Sequence, residues 1–145
     1  MQNILIRRLE KKDIDKIAAI YSAITGQQLG GDFQSLISRL AGKDSNIICD
    51  VAEADDKIIG FMVSYILTLG FGIEKSAWIA TLGVDPDHMG KGVGEKLGQK
   101  MIQRCREMGI NELRTSVRWD STDLLSFFKT LGFNRSDFIN LRKEI

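Results

Sequence analysis

The chain has 145 residues, with 20 Lys and Arg against 19 Asp and Glu and a formal net charge of +1. This length suits one domain around one hydrophobic core, and we expect residues 1–145 to form a single domain. The near-neutral charge argues against a dedicated nucleic-acid-binding protein, because the affinity of such proteins depends on excess positive charge.

The cysteine and hydropathy patterns indicate a protein of the cytoplasm. Cys49 and Cys105 match no metal-ligand spacing, and the chain has one histidine, so no metal site is expected. The longest uncharged run, 58–73, is shorter than the ~20 residues that span a bilayer. Charged residues interrupt the first apolar run, which argues against a signal peptide. We therefore expect reduced thiols and neither a membrane nor a nucleic-acid partner.

The N-terminal third predicts one strand and two helices. Residues 3–10, "NILIRRLE", are rich in leucine and β-branched residues and predict a strand. Residues 13–25 repeat apolar side chains at helical spacing, with Asp13 as a candidate N-cap. A second helical pattern covers 33–40, after Asp32 as its cap.

The middle of the chain predicts three strands. Two apolar runs, 47–54 and 57–67, are joined by a tight turn around Asp55–Lys57, which is typical of a β-hairpin. A glycine-rich turn then leads into a third apolar run, 76–84.

The last third alternates helices and strands. A helical pattern covers 94–109, alternation predicts a strand over 112–119, and a short helix follows over 121–132. Residues 133–145 predict a final strand or hairpin. This order of elements indicates one α/β or α+β sheet with helices packed on it.

A glycine loop separates the third strand of the middle region from the long helix. The stretch "HMGKGVG", residues 88–94, places glycines at Gly90, Gly92 and Gly94, with Lys91 between the first two. A strand, a glycine-rich loop and a helix N-terminus together form an anion-binding arrangement, because free N–H groups and the helix dipole point into the loop. A surface turn whose glycines only reverse the chain is the alternative.

Two named phosphate loops are excluded. The P-loop requires Gly-Lys followed by Ser or Thr, but Gly90 and Lys91 are followed by Gly92. The dinucleotide fingerprint G-x-G-x-x-G fails because its last position is Glu95 or Leu97.

A third pattern fits: residues 82–101 resemble the acetyl-coenzyme A loop of the GNAT superfamily of N-acetyltransferases. That loop follows the pattern hydrophobic-x-V-x-P, then Gln or Arg-x-x-G-x-G/A, then a helix. Leu82, Val84 and Pro86 match its first part, and Gly92 and Gly94 match its second.

The resemblance extends over nearly the whole chain. Residues 117–133, "VRWDSTDLLSFFKTLGF", run in step with the family pattern V-x-x-x-N-x-x-A-x-x-x-Y-x-x-x-G-F, and residues 6–13 resemble the family's opening. It implies a GNAT-like acyl-CoA N-acyltransferase fold. That fold has a single mixed, mostly antiparallel central sheet of six to seven strands, flanked by about four helices.

The resemblance also implies a coenzyme A site. The loop N–H groups are expected to bind the pyrophosphate, the strand before the loop to pair with the pantetheine arm, and the last helix to flank that arm. The residues so implied are Leu82, Gly83, Val84, Met89, Gly90, Lys91, Gly92, Val93, Gly94, Ser121, Leu124, Phe127 and Phe128.

The resemblance accounts for fewer of the catalytic groups than of the coenzyme A site. A backbone N–H of Leu82 or Gly83 is the expected oxyanion donor. Ser121 stands where the family has Asn, Met89 where it has Gln or Arg, and Phe128 where a tyrosine often protonates the leaving thiolate.

The general base is not identified by the pattern. The usual base positions hold Trp78 and Ser116, neither of which is a base. Glu53 and Asp120 are the nearest acidic candidates by sequence. Each has a simpler explanation, at a strand end for Glu53 and beside a helix cap for Asp120.

The implied function is transfer of an acetyl group from acetyl-CoA to a primary amine, by direct attack in a ternary complex. The amine belongs to a small molecule or to a peptide or protein. The alternative is an acyl-CoA-binding regulatory or sensor module with little or no turnover, which Phe128 and the missing strand glutamate favour. Family members often form homodimers, and nothing in these residues decides whether this chain does.

Overall fold

The structure, a computed structural model, describes residues 3–27, 35, 46–70 and 73–145. The helix expected over 33–40 lies outside the described residues except for residue 35. In chain order the elements are β1 Leu5–Arg8, α1 Ile14–Thr25, β2 Ile47–Ala54, β3 Lys57–Gly70, β4 Ile73–Val84, α2 Val93–Glu107, β5 Leu113–Thr115 and α3 Thr122–Thr130.

The five strands form one mixed sheet in the order β1-β2-β3-β4-β5. The first three pairings are antiparallel, and β4 pairs with β5 in parallel. The expected fold class is confirmed, but the described residues contain five strands rather than six to seven, and three α-helices rather than about four. None of the helices in the described part of the chain has both the length and the apolar character needed to cross a membrane.

Each face of the sheet carries its own hydrophobic core. Helix α1 covers one face, where Ile17 and Ile20 pack with Val51, Phe61 and Val63. Helices α2 and α3 cover the other. On that face the buried side chains include Ile48, Met62, Ile79, Leu97, Met101 and Phe128. The alternation of side chains along β2 and β3 therefore supplies both cores at once.

The tight turn between β2 and β3 forms where the sequence predicts it, with aspartate at both of its central positions. Asp55 and Asp56 both have positive φ, at 51° and 62°. Two consecutive positive φ values are typical of a type I′ turn, whose twist matches that of the strands it joins. Aspartate tolerates this region better than most residues with a side chain.

Near the C-terminus one predicted strand is shorter than expected and another prediction is wrong. The strand expected over 112–119 contains only Leu113–Thr115, because it pairs with β4 only along residues 77–79. The strand or hairpin expected over 133–145 does not form, and these residues carry no strand assignment. Side-chain contacts rather than a backbone ladder hold this segment, as in the hydrogen bond that Asn140 Nδ2 donates to Ser116 Oγ at 2.7 Å.

Asp13 also differs from its expected role. It precedes α1, but its carboxylate makes no cap hydrogen bond to that helix. It instead accepts the N–H of Glu10 at 2.8 Å and two hydrogen bonds from Arg7. The carboxylate therefore connects β1 to the start of α1.

A buried ion pair connects α2 to the sheet. The Asp50 side chain is fully buried on β2 and faces α2. Arg104 Nε donates to Asp50 Oδ2 at 2.8 Å and to Oδ1 at 3.0 Å. A charge that is buried without a partner is costly, so each group of this pair depends on the other.

We expect Arg104→Ala to lower the free energy of unfolding by about 3–5 kcal/mol, because it leaves the Asp50 carboxylate buried without its cation. Arg106→Ala is the matched control: Arg106 lies on the same helix but is exposed. Its loss is expected to cost no more than about 0.5 kcal/mol. Urea unfolding measures both, and equal costs would show that the pair does not hold α2 to the sheet.

Candidate functional site

The site begins where β4 separates from β5. Along β3 and β4, Val63 pairs with Thr81 but Ser64 pairs with Ile79, so Ala80 is an additional residue in β4. Such a β-bulge bends its strand and increases the local twist. The parallel pairing with β5 ends at this point, at Ile79 and Thr115. On the side of β5, residues 80–84 therefore have no paired strand in the described part of the chain, and we call this unpaired edge the gap between β4 and β5.

The bulge also exchanges the two faces of β4. Before it, Ala77 and Ile79 lie in the core beneath α2; after it, Leu82 and Val84 pack against that same core. Gly83 faces the opposite side, where a Cβ would lie 2.7 Å from Phe61 Cε1 and 3.1 Å from Ile24 Cδ1. Only a residue without a side chain fits there while those two groups keep their places.

Two hydrogen bonds of Asp85 hold the loop after β4, one to β3 and one within the loop. The Asp85 N–H donates to Ile59 O at 2.8 Å, and Asp85 Oδ1 accepts the Asp87 N–H at 3.1 Å. A short 3-10 turn covers Pro86–His88. Gly90 and Gly92 then have φ values of +78° and +79°, a region that glycine enters without strain.

The N-terminus of α2 presents a run of free backbone donors. The N–H of Lys96 is the first to find an acceptor in this turn, Gly92 O at 3.1 Å. Among the described residues no acceptor takes the N–H groups of residues 90–95. These donors and the exposed Lys91 beside them form the anion-binding arrangement expected from the sequence.

Three elements converge at this helix end. A Cβ on Gly94 would lie 3.1 Å from Phe127 Cε1 and 3.8 Å from Val84 Cγ2. The end of β4, the first turn of α2 and the side of α3 are therefore in contact. The structure thus brings together three residues that sequence reasoning assigned to one site.

The model of the acetyltransferase (GNAT) family matches residues 14–133. The chain belongs to this family. The resemblance stated from the sequence is confirmed, and the expected enzyme class, an acyltransferase, is the class of the family.

Relatives of this GNAT chain are distant. L-2,4-diaminobutyric acid acetyltransferase of Nocardia farcinica is 26% identical over 85 residues, which are 59% of this chain and 42% of that protein. The chain therefore matches less than half of the length of this curated relative.

Solved structures share the fold at low identity. A transcriptional regulator from Bacillus halodurans superposes with a TM-score of 0.84 at 18% identity, over 99% of this chain and 100% of that one. Aminoglycoside N-acetyltransferase AAC(6')-Iy in complex with CoA gives 0.84 at 16% identity, over 99% and 96%.

The other predicted site residues of this GNAT chain differ in their exposure to solvent. Met89 is 55% exposed, and its N–H points to Pro86 O at 3.4 Å rather than into free space. Ser121 is half-buried at the N-cap of α3, where its hydroxyl makes no cap hydrogen bond. Leu124 is exposed, whereas Phe128 is buried, with its ring edge-on to Phe127 and Phe133.

The two candidates for the general base, Glu53 and Asp120, lie on different parts of the chain, and each forms an ion pair with an arginine. Glu53 Oε2 on β2 is 3.3 Å from Arg7 Nε. Asp120, between β5 and α3, accepts two hydrogen bonds from Arg118 at 3.1 Å. These hydrogen bonds hold the pKa of Asp120 below its usual value. Both carboxylates therefore remain candidates, each already paired with a cation.

Sequence reasoning missed Arg114. Its guanidinium lies over the Trp78 ring at 5.8 Å and over the Phe138 ring at 5.1 Å. Trp78 and Arg114 are register partners in β4 and β5. The parallel register of β4 and β5 places these two residues side by side, and that register cannot be predicted from the sequence of either strand alone.

Arg7 connects the Glu53 candidate to a second carboxylate, which gives a pH-dependent prediction. Burial opposes ionisation of Asp13, but hydrogen bonds from Arg7 and from the Glu10 N–H outweigh it and lower the pKa of Asp13. A lowered folded-state pKa contributes stability that is present above the unfolded pKa and is lost as the pH falls through the folded value.

We expect Asp13→Asn to lower the free energy of unfolding at pH 7 by about 1.5–3 kcal/mol, because a hydrogen bond to a charged group is lost. The difference in the free energy of unfolding between the variant and the wild type should shrink as the pH falls below the ordinary pKa range of an aspartate. Asp15→Asn is the control, because Asp15 lies on the exposed side of α1, and its stability should show little of this acid dependence. A constant Asp13→Asn deficit from neutral to acid pH would contradict the prediction.

Proposed function

We propose that this protein transfers an acetyl group from acetyl-CoA to a primary amine, by direct attack within a ternary complex. The observation that carries the proposal is the row of free N–H groups of residues 90–95, which lies beside the gap between β4 and β5. A pyrophosphate takes up such donors, and the helix dipole adds to the attraction. The gap leaves one edge of β4 available to an extended chain such as pantetheine.

The proposed coenzyme A site uses backbone more than side chains. Gly90, Lys91, Gly92, Val93 and Gly94 hold the phosphates, with Met89 beside them. Leu82, Gly83 and Val84 pair with the pantetheine arm, and α3 closes the other side through Phe127 and its neighbours. The positive φ values of Gly90 and Gly92 support this assignment, because they turn successive N–H groups toward one point.

In the proposed reaction the amine nitrogen forms a bond to the acetyl carbon while the carbon–sulfur bond breaks. The N–H of Leu82 or Gly83 stabilises the negative charge that develops on the acetyl oxygen. The proton that the amine loses passes to solvent or to the departing sulfur. Ser121 carries the one side-chain hydroxyl among the residues assigned to the site, and Phe128 offers no proton.

Direct attack is supported by the state of the cysteines. Burial raises the pKa of Cys49 to about 12, and burial also raises the pKa of Cys105. A thiol is a nucleophile only as thiolate, so neither residue suits a covalent acyl-enzyme.

We propose no single general base. A base works best when its pKa lies near the working pH, and the hydrogen bonds from Arg118 hold the pKa of Asp120 below its usual value. The carboxylate of Glu53 is already engaged by Arg7. Glu53 and Asp120 stay candidates, alongside water and backbone carbonyls at the splayed end of β4.

The proposed acceptor is a small molecule or peptide end with a primary amine. The diaminobutyric acid and aminoglycoside acetyltransferases among the similar proteins support a small molecule. Thiol release from acetyl-CoA, followed over a panel of diamino acids, aminoglycosides, polyamines and peptide N-termini, tests this proposal. We expect acceptor-dependent release with at least one class. Tight binding of acetyl-CoA without release across the panel would instead favour the sensor module.

A glycine pair on α2 gives a matched test of the phosphate site. Gly92 and Gly109 lie at opposite ends of this helix, with φ values of +79° and +73°, and a Cβ at either would meet nothing within 4 Å. Alanine at each position should therefore cost a similar ~1–2 kcal/mol of stability.

We expect Gly92→Ala to weaken acetyl-CoA binding at least about tenfold, because its Cβ and any relaxation of the strained φ disturb the donors that meet the phosphates. Gly109→Ala should leave the dissociation constant unchanged. Calorimetric titration with acetyl-CoA, well below both melting temperatures, measures the difference. Equal affinities of the two variants would place the phosphates elsewhere.

A further inference from the structure

Arg114 carries a mostly buried charge that few acceptors satisfy. Its side chain is 14% exposed, and the rings of Trp78 and Phe138 lie against its guanidinium at 5.8 and 5.1 Å. A guanidinium has five N–H donors and no acceptor. In the described part of the chain the one acceptor for these donors is the Glu112 carboxylate, at Nη2, and Nε is buried without any. Since a buried charge is costly until its donors are paired, this group favours an anionic ligand.

Arg114 lines a cleft of about 1090 Å³ beside β5. A cavity of this size holds a small organic molecule. The charged side chains that line the cleft are the cationic Arg114, Lys129 and Arg135 and the anionic Glu112 and Asp137. Because the cations outnumber the carboxylates, the cleft favours a ligand with negative charge.

A neutral donor lies in the same cleft. Asn140 Nδ2 donates to Ser116 Oγ at 2.7 Å, and both residues line the cleft. Because the Ser116 oxygen accepts this hydrogen bond, its own proton is available to a ligand oxygen. A guanidinium and a hydroxyl, two residues apart in the chain, therefore both line the space that a ligand would fill.

The cleft reaches the place where the proposed function sets the acetyl group. The pairing of β4 with β5 ends at Ile79 and Thr115, and Thr115 lines the cleft together with residues 116 and 117. Phe128, which belongs to the proposed coenzyme A site, is part of the same lining. A ligand in the cleft can therefore extend one end toward the gap between β4 and β5.

The distance along β4 sets the length of such a ligand. Arg114 is the register partner of Trp78, and Leu82, a proposed oxyanion donor, lies four residues further along β4. Four residues of extended strand span ~13 Å. A molecule that is held at Arg114 by one end therefore needs several methylene groups to place its other end at the Leu82 N–H.

We propose that Arg114 binds the carboxylate of the amine acceptor, which makes the acceptor an amino acid whose reacting amine is several methylene groups from its carboxylate. The inference rests on the proposed function for the reacting end of the molecule and on Arg114 for the other end. Arginine binds a carboxylate through two parallel hydrogen bonds, and Nε and Nη2 form one such fork. Nε has no acceptor among the described residues, and Glu112, whose side chain is 57% exposed, can release Nη2 and turn into solvent.

The first test is binding to the full chain without acetyl-CoA, followed by nuclear magnetic resonance. The probe is ε-aminocaproate, and ε-aminocaproamide is its matched control, because it has the same amine and length but no carboxylate. We expect the Nε–H resonance of Arg114, assigned through its contact with the Trp78 ring, to shift saturably with the acid and to stay in place with the amide. A resonance that responds equally to both compounds, or to neither, overturns the proposal.

The second test is the ratio of kcat/KM for the acid to kcat/KM for the amide, measured as thiol release from acetyl-CoA. We expect the wild type to prefer the acid at least about tenfold, because the acid alone makes a charge-assisted hydrogen bond. Arg114→Gln should bring this ratio close to one. Arg142→Gln is the matched control, since it removes the same charge from an exposed position outside the cleft, and it should keep the wild-type ratio.

The ratio compares two acceptors on one enzyme, so a general loss of folded protein cancels. An Arg114→Gln enzyme that keeps the preference for the acid overturns the proposal. The wild-type resonance and the wild-type ratio decide the question if that variant does not fold.

The two proposals fail in different ways. Acetylation of the amide and of polyamines with no preference for the acid overturns the carboxylate site and leaves the proposed acetyl transfer standing. A saturable shift of the Arg114 Nε–H with the acid, without thiol release for any amine, would instead support a carboxylate site and overturn the acetyl transfer.

Discussion

One extra residue in β4, Ala80, sets the geometry on which the rest of the site depends. Without it, the side chains after the bulge would fall on the wrong faces, since a strand alternates strictly. With it, Leu82 and Val84 continue the core beneath α2, while Gly83 turns to the α1 side. The same residue bends β4 away from β5, which opens the gap that the proposed function requires.

Two glycines then allow α2 to approach the sheet and α3 closely, which brings both helices to this gap. At Gly60 a Cβ would lie 3.0 Å from Val93 Cγ1, and at Gly98 it would lie 2.5 Å from Leu131 Cδ1. Helix α2 therefore sits deep on the sheet and close to α3, and the Arg104–Asp50 pair holds it near its other end. The free donors of its first turn are thus fixed relative to the end of β4.

Because these donors belong to the backbone, the proposed site would tolerate changes of side chain that would disable a site built from side chains. Met89 replaces a polar residue of the family pattern without removing the N–H groups that follow it. Phe128 is different: its ring packs in the core with Phe127 and Phe133. The absence of a tyrosine hydroxyl there would affect proton transfer in the proposed reaction and would leave the proposed phosphate site unchanged.

The sequence by itself determined the local elements: helix α1, the β2–β3 hairpin, and the glycine loop that opens α2. Each depends on interactions within a short stretch of chain, so residue spacing is enough to predict it, and the family motif places it in the fold. Only the tertiary structure decided where β5 ends, because that depends on how far β4 runs alongside it. The pairing of Glu53 with Arg7 and the contact of Arg114 with Trp78 likewise join residues far apart in sequence. Residues 133–145 show the limit most clearly: their sequence predicts a strand or hairpin, but a strand needs a partner edge, and no local pattern specifies which edge that is.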